Sequence, residues 1–368
     1  MPHKSKIKSA WFFSFLGSFY SYGSTPIAVS LSILFCINKQ YKKMFIILIP
    51  NVLYIIYYVA TTRLFDISND KISSNIDITV LIKQYILQVL TFVDAIIGPS
   101  FWFKIFYSIS SLSVISVCIG LILTCLFYKY YVPKKESINK QLVFILLTLL
   151  LLAFGMFALT GLYPQIAFNL GNRVTIYGSL LISFLVVSLF LNSKKTATIV
   201  FVIFIFSTLG LSDHWKNWNK TQLQIIENIS NNRDIKKFDK SKQLFVTYNQ
   251  YSQLGKISHI EFLTSGVSSH IFKLATNSNY KVSELNKRFI YNSNKITDKK
   301  YKISYGINNE MYVYDSKQDK LLTIKKENIQ KYIDSLPKNN RHWLLLLDKD
   351  NFIMKIVLKL MPRLEYAL

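Results

Sequence analysis

One stretch concentrates residue types that could do chemistry: Thr160-Gly-Leu-Tyr-Pro-Gln-Ile-Ala-Phe-Asn-Leu-Gly-Asn-Arg-Val-Thr-Ile-Tyr-Gly-Ser-Leu-Leu. It reads as a loop with turn residues Pro164, Gly171 and Asn172, after which a lone Arg173 opens an apolar run. Arg173 and Tyr177 stand four apart, hence on one helix face. A guanidinium at a membrane edge beside a helix N-terminus is placed to bind a phosphate or diphosphate. Asn172, Tyr177 and Tyr163 complete that candidate site, which would suit a polyprenyl-phosphate-linked sugar. The competing reading is an Arg that snorkels to the interface and only anchors its helix.

Other candidate groups are sparse. Asp94 is the only acid inside an apolar run, and an ionised carboxylate in hydrocarbon is costly enough to mark a functional residue wherever the segment truly spans. The five histidines lack metal-ligand spacing. His259 and Glu261 share one strand face, the ordinary pattern of a solvated pair. There is no Gly-rich phosphate loop, His-Glu-x-x-His pair or Gly-x-Ser-x-Gly elbow, so no motif calls for a metal or cofactor. Cys36, Cys118 and Cys125 lie in apolar runs and read as small buried hydrophobes.

These residues sit in a chain of two halves. Mean hydropathy is positive although there are 44 Lys+Arg and a net charge of +24. From Trp215 onward Lys+Arg outnumber Asp+Glu by 27 to 14, and before it by 17 to 6, so apolar residues crowd the front and charges the rear. A basic balance is the footprint of phosphate binding. Here, however, the cations are scattered and mostly Lys, which argues against a nucleic-acid partner.

A hydrocarbon core about 30 Å thick takes about 20 helical residues. Trp11–Ile37, Met44–Thr62, Ile105–Tyr128, Leu142–Thr160 and Val174–Leu191 meet or approach that length, and Thr196–Leu211 is a shorter sixth. Tyr and Trp cluster at their ends. Ile78–Gly98 is long enough too, but Gln84, Gln88 and Thr91 fall on one face, so it is either a bundle-lining span or an interfacial helix. The expected fold is an α-helical integral membrane bundle of six or seven transmembrane helices over residues 1–212. A small α+β extracytoplasmic domain follows over 213–368.

The positive-inside rule gives two arrangements. Both put Gly161–Asn172 and everything after Leu211 outside a cell membrane. Lys4, Lys6 and Lys8 before the first run suit an uncleaved signal anchor.

In the rear half, His214–Ile235 has helical spacing and is expected to continue the last span. Leu244–Tyr248, His259–Leu263, Ser269–Ala275 and Arg288–Tyr291 read as strands. Tyr301–Tyr305, Met311–Tyr314 and Leu321–Ile324, with turns between them, suggest a β-meander. Lys326–Ser335 reads as a helix stopped by Pro337. The tail Phe352–Leu364 carries Lys355, Lys359 and Arg363 at intervals of four. It is either a terminal element packed on the domain with its lysines in water, or a helix on anionic lipid.

The tyrosine-proline loop, the following Gly-Asn-Arg-Val-Thr-Ile-Tyr-Gly-Ser-Leu-Leu, two spans and a His-Trp-Lys-x-Trp opening of the exported part together resemble the rear half of large bacterial membrane proteins. Those proteins belong to surface-polysaccharide clusters and are grouped with GT-C-type glycosyltransferases. The resemblance covers about residues 140–270. It implies assembly or modification of an envelope glycan from a lipid-linked sugar, and an essential acid in an external loop. Asp66, Asp70 and Asp77 are the candidates for that catalytic acid, in a loop that is external only in the six-span arrangement. The alternative is a non-catalytic membrane protein whose exported domain binds a glycan or a protein partner.

Overall fold

The structure, a computed structural model, describes residues 2–20, 22–64, 77–133, 138–160, 174–190, 192–248, 251–264, 266–299, 302–337, 343–348 and 350–360. Its front is helical: α1 (Pro2–Tyr20), α2 (Thr25–Ile37), α3 (Tyr41–Leu64), α4 (Ile78–Ile96), α5 (Pro99–Ser110), α6 (Val114–Tyr130), α7 (Lys140–Thr160), α8 (Val174–Phe190) and α9 (Lys194–Asn231). Among the described residues three helical segments are long and apolar enough, by length and composition, to cross a membrane: Ile78–Ser110, which is α4 and α5 in succession, Lys140–Leu159 and Lys194–Asn231.

Two expected spans are broken. Trp11–Ile37 divides at a 3-10 turn over Tyr22–Ser24, with Pro26 in the first turn of α2. Gly23, Ser24 and Thr25 are poor helix formers, and Pro26 donates no backbone hydrogen bond, so the chain restarts there. Ile105–Tyr128 divides between α5 and α6. The hydroxyls of Ser110 and Ser111 both donate to the Tyr107 carbonyl, at 2.9 and 2.8 Å, and compete with the helical ladder.

Contact density separates two compact units. The first holds α1–α4, α6 from Thr124, α7, α8 and α9 up to Phe201, and the second holds Trp102–Leu123 and the chain from Val202. In the first, α4 packs on α7 and α8 through Phe92, Leu150, Phe154, Phe157 and Leu181. Gly178 permits the approach, since a Cβ there would stand 1.9 Å from the Phe92 ring. Gln88 and Thr91 are buried in the same α4 face, so the polar stripe turns toward other helices. Leu147 and Leu151 of α7 stand outward and exposed. In water such a face would be polar; apolar side chains on both sides suit lipid. The cysteines follow that pattern: all three are exposed on helix surfaces, not buried as their sequence context suggested.

In the second unit α9 is followed by α10 (Arg233–Lys237), β1 (Gln243–Thr247), β2 (Tyr251–Leu254), β3 (Ile257–Glu261), α11 (Ser268–Thr276), β4 (Lys281–Glu284), β5 (Phe289–Asn292), β6 (Lys295–Asp298), β7 (Ser304–Gly306), β8 (Glu310–Asp315), β9 (Lys320–Lys325), α12 (Ile329–Ser335) and α13 (Phe352–Leu360). The meander expectation is corrected. The main sheet has the order β4-β1-β8-β9, with β1 parallel to both β4 and β8 and only β8–β9 antiparallel. β2–β3 forms a separate hairpin and β5-β6-β7 a three-stranded sheet.

Ser269–Ala275, expected as a strand, is the helix α11. Its Ile271 and Phe272 are buried on one face, and Asn277 ends it in the left-handed region at φ 52°. β1 is covered on both sides: Leu244 and Val246 join one core with Ile225, Ile229 and Phe272, while Phe245 joins the other with Met311, Val313 and Ile333. That two-sided burial is why β1 reads as an unbroken apolar run.

Candidate functional site

The loop candidates fall mostly outside the described residues: Asp66, Asp70, Tyr163, Asn172 and Arg173 all do. Helix α8 begins at Val174, the position after Arg173. Tyr177, in its first turn, donates its hydroxyl to the carbonyl of Gly23, in the turn between α1 and α2. Its ring lies 6.2 Å from that of Phe157. Tyr177 is thus a fixed post at the start of α8.

Asp77 is the N-cap of α4. Its carboxylate accepts from the Thr79 amide at 2.8 Å and from the Thr79 hydroxyl. Those bonds hold it below the usual carboxylate range, so it stays ionised and committed to the helix end. Asp94 is tied in a similar way. It accepts from the amide of Ser100 at 3.1 Å and from its hydroxyl, across the turn from α4 to α5. Gly98 makes that turn possible, because a Cβ would meet Asp94 at 2.5 Å. A carboxylate so placed caps α5, which gives the acid of this apolar segment a structural role.

In the second unit, sequence reasoning missed the carboxyl edge of the parallel strands. The chain leaves β1 toward β4 and leaves β8 toward β9, so direction reverses between β1 and β8, the place where open parallel sheets bind ligands. Thr247 and Asp315 are register partners there, both buried. The Thr247 hydroxyl shares a 3.2 Å hydrogen bond with Tyr332, whose phenol is pushed up to about 12 by burial. Ser316 donates its amide and hydroxyl to the Thr247 carbonyl, at 3.1 and 2.7 Å. Asp315 accepts from the amides of Lys317 and Gln318. Each of these side chains thus has a protein partner.

Beside this edge, Arg288 bridges two acids. Its guanidinium donates to Asp298 at 3.0 and 3.1 Å and pairs with Glu284. All three are buried or nearly so, and the triad joins β4 to β6. An open groove of about 330 Å³ lies elsewhere on the unit, lined by Asp234, Lys237, Phe238, Asp239, Lys242, Tyr312, Leu321 and Thr323. Lys242 donates to the Tyr312 hydroxyl at 3.0 Å, which raises its ammonium above the ordinary lysine range. Phe238 meets Tyr312 edge-on.

Among the described residues no group of three His, Cys, Asp or Glu could hold a metal ion. No protein-family model, curated protein or solved structure matches the chain.

Proposed function

We propose that the chain is a multi-pass cell-membrane protein that assembles or modifies an envelope glycan from a lipid-linked sugar, in the manner of a glycosyltransferase. The observation that carries this reading is the start of α8. The helix begins directly after Arg173, and its first-turn Tyr177 is held against Gly23. In the sequence Tyr163, Asn172 and Arg173 stand in the segment just before that helix, and a guanidinium beside a helix N-terminus would suit a lipid phosphate. The bundle carries six or seven spans, with Gly161–Asn172 and the chain after Leu211 outside. The packing of α4 on α7 and α8 supports its role as a bundle-lining span. In the six-span arrangement Asp66, Asp70 and Asp77 share the outer side with Arg173 and supply the acid. In the seven-span arrangement, the one that a spanning α4 gives, they lie on the opposite side and supply no acid to the Arg173 site.

A second reading, a non-catalytic membrane protein whose exported domain binds a glycan or protein partner, is favoured by one observation: the Asp77 carboxylate is committed to Thr79. Substitution decides between them. Under the catalytic reading Arg173→Gln and the Asp66→Asn, Asp70→Asn and Asp77→Asn set include at least one variant that reproduces the surface-glycan change caused by deleting the gene. Intact glycan in every variant, beside a glycan defect on deletion, selects the second reading. A deletion without any glycan change ends both glycan readings.

A further inference from the structure

Helix α13 is apolar on its outward face as well as on its inward one. Asn351 fixes its start, accepting from the Ile353 amide at 2.9 Å. Met354 is fully buried, and Val357 and Leu358 are half-buried, which defines the side packed on the protein. At 100° per residue Phe352, Ile353 and Ile356 point the other way, and they are 75, 47 and 45% exposed. Lys355 and Lys359, one turn apart and both exposed, run along one flank of that strip. The helix contains no acid.

A terminal helix that merely covered a core would be polar on its outer face. A hydrated basic helix would not leave a Phe and two Ile in water beside its lysines. An outward apolar strip flanked by ammonium groups is the pattern of a helix lying in the interface of a bilayer, with its lysines at anionic headgroups. The same chain carries segments long and apolar enough to cross a membrane, and these would hold a bilayer within reach of the helix.

We infer that α13 lies on an anionic membrane surface, with Phe352, Ile353 and Ile356 toward the acyl chains and Lys355 and Lys359 among the phosphates. The inference rests on the reading of the chain as a membrane protein, and its test separates the two. The full chain, with its three cysteines replaced by Ala, is reconstituted in phosphatidylcholine vesicles with and without added phosphatidylglycerol. An environment-sensitive fluorophore is placed at Ile356→Cys, at Glu327→Cys as a control in water, and at Leu147→Cys as a control on the outward face of α7.

With phosphatidylglycerol the label at 356 shifts to shorter wavelength and is quenched severalfold more by nitroxide-bearing lipid than the label at 327. Lys355→Gln together with Lys359→Gln removes most of that difference. If the label at 356 stays as open to aqueous iodide as the label at 327, or is shielded equally in detergent without lipid, α13 does not lie on a bilayer. Lipid quenching at 147 in the same preparation then leaves the membrane reading standing; its loss there sinks that reading as well.

Discussion

The hydroxyl of Tyr177 donates to the carbonyl of Gly23, 154 residues earlier in the chain, and so ties the first turn of α8 to the turn between α1 and α2. A carbonyl left over where a helix breaks needs a partner inside an apolar bundle. Tyr177→Phe removes that donor and nothing else. The expected cost is about 1 kcal/mol of stability, read as a lower unfolding temperature of the full chain in detergent. Tyr177→Leu also loses the ring contact with Phe157 and is expected to cost more. Equal losses in the two variants would mean that the hydrogen bond carries the whole effect.

Gly210 and Gly17 make a matched pair for the role of small residues. A Cβ on Gly210 would stand 1.8 Å from the carbonyl oxygen of Ser108, a backbone atom that cannot swing away, whereas nothing lies within 4 Å of one on Gly17. Small residues let helix backbones approach in this way. Gly210→Ala is expected to lose about 1–3 kcal/mol by overpacking. Gly17→Ala is expected to be neutral or to gain a fraction of the roughly 1 kcal/mol difference in helix propensity. Thermal unfolding of both variants beside the parent checks this.

These tertiary ties explain what could be read in the sequence. The helices α7, α8 and α9 and the strands β1, β8 and β9 are near their expected places because their patterns are local: long apolar runs, or short β-branched and aromatic runs between turn residues. The breaks at Tyr22–Ser24 and Ser111–Ser113 were hidden because serines and a glycine barely lower the hydropathy of an apolar run. α11 passed for a strand because Ile271-Phe272 alone fits either period; its left-handed Asn277 and the packing of Phe272 against Tyr314 decide for helix. The parallel pairing of β1 with β4 and β8 leaves only the short apolar run of β1 as a local sign, which does not name its partners. Of the candidate site, Tyr177 was legible as a neighbour of Arg173 on a helix face, but its partner Gly23 was not. Asp77 was legible as an acid, whereas its capping bond needed the position of Thr79 on α4.

Alkaline titration tests the buried phenols at the carboxyl edge. Burial pushes Tyr332 up to about 12, and burial with the neighbouring Asp319 raises Tyr314 as well. An unfolded tyrosine ionises near pH 10. Below that pH both states are protonated and the contribution is fully present. As pH rises from about 10 toward about 12 the unfolded chain releases protons that the folded chain keeps, so stability falls. The parent is expected to lose more stability over this window than the Tyr314→Phe, Tyr332→Phe double variant, in denaturant midpoints at matched pH. Lysine titration is common to both proteins and cancels in the comparison. Parallel pH profiles would refute the assignment.

Arg288 between Glu284 and Asp298 gives the sharpest energetic contrast, because three charges share one buried place. Removing the cation alone strands two carboxylates without their partner. Such a break costs about 3–5 kcal/mol, whereas replacing a whole buried ionic group by neutral or apolar residues of similar size is often close to neutral. Arg288→Met alone is therefore expected to be the most damaging change. The combined Glu284→Gln, Arg288→Met, Asp298→Asn variant is expected to recover most of the loss. Denaturant unfolding of the full chain, followed by tryptophan fluorescence, reports both. A triple variant as unstable as the single one would show that the triad matters through the shape of its contacts between β4 and β6, and that its charge balance does not.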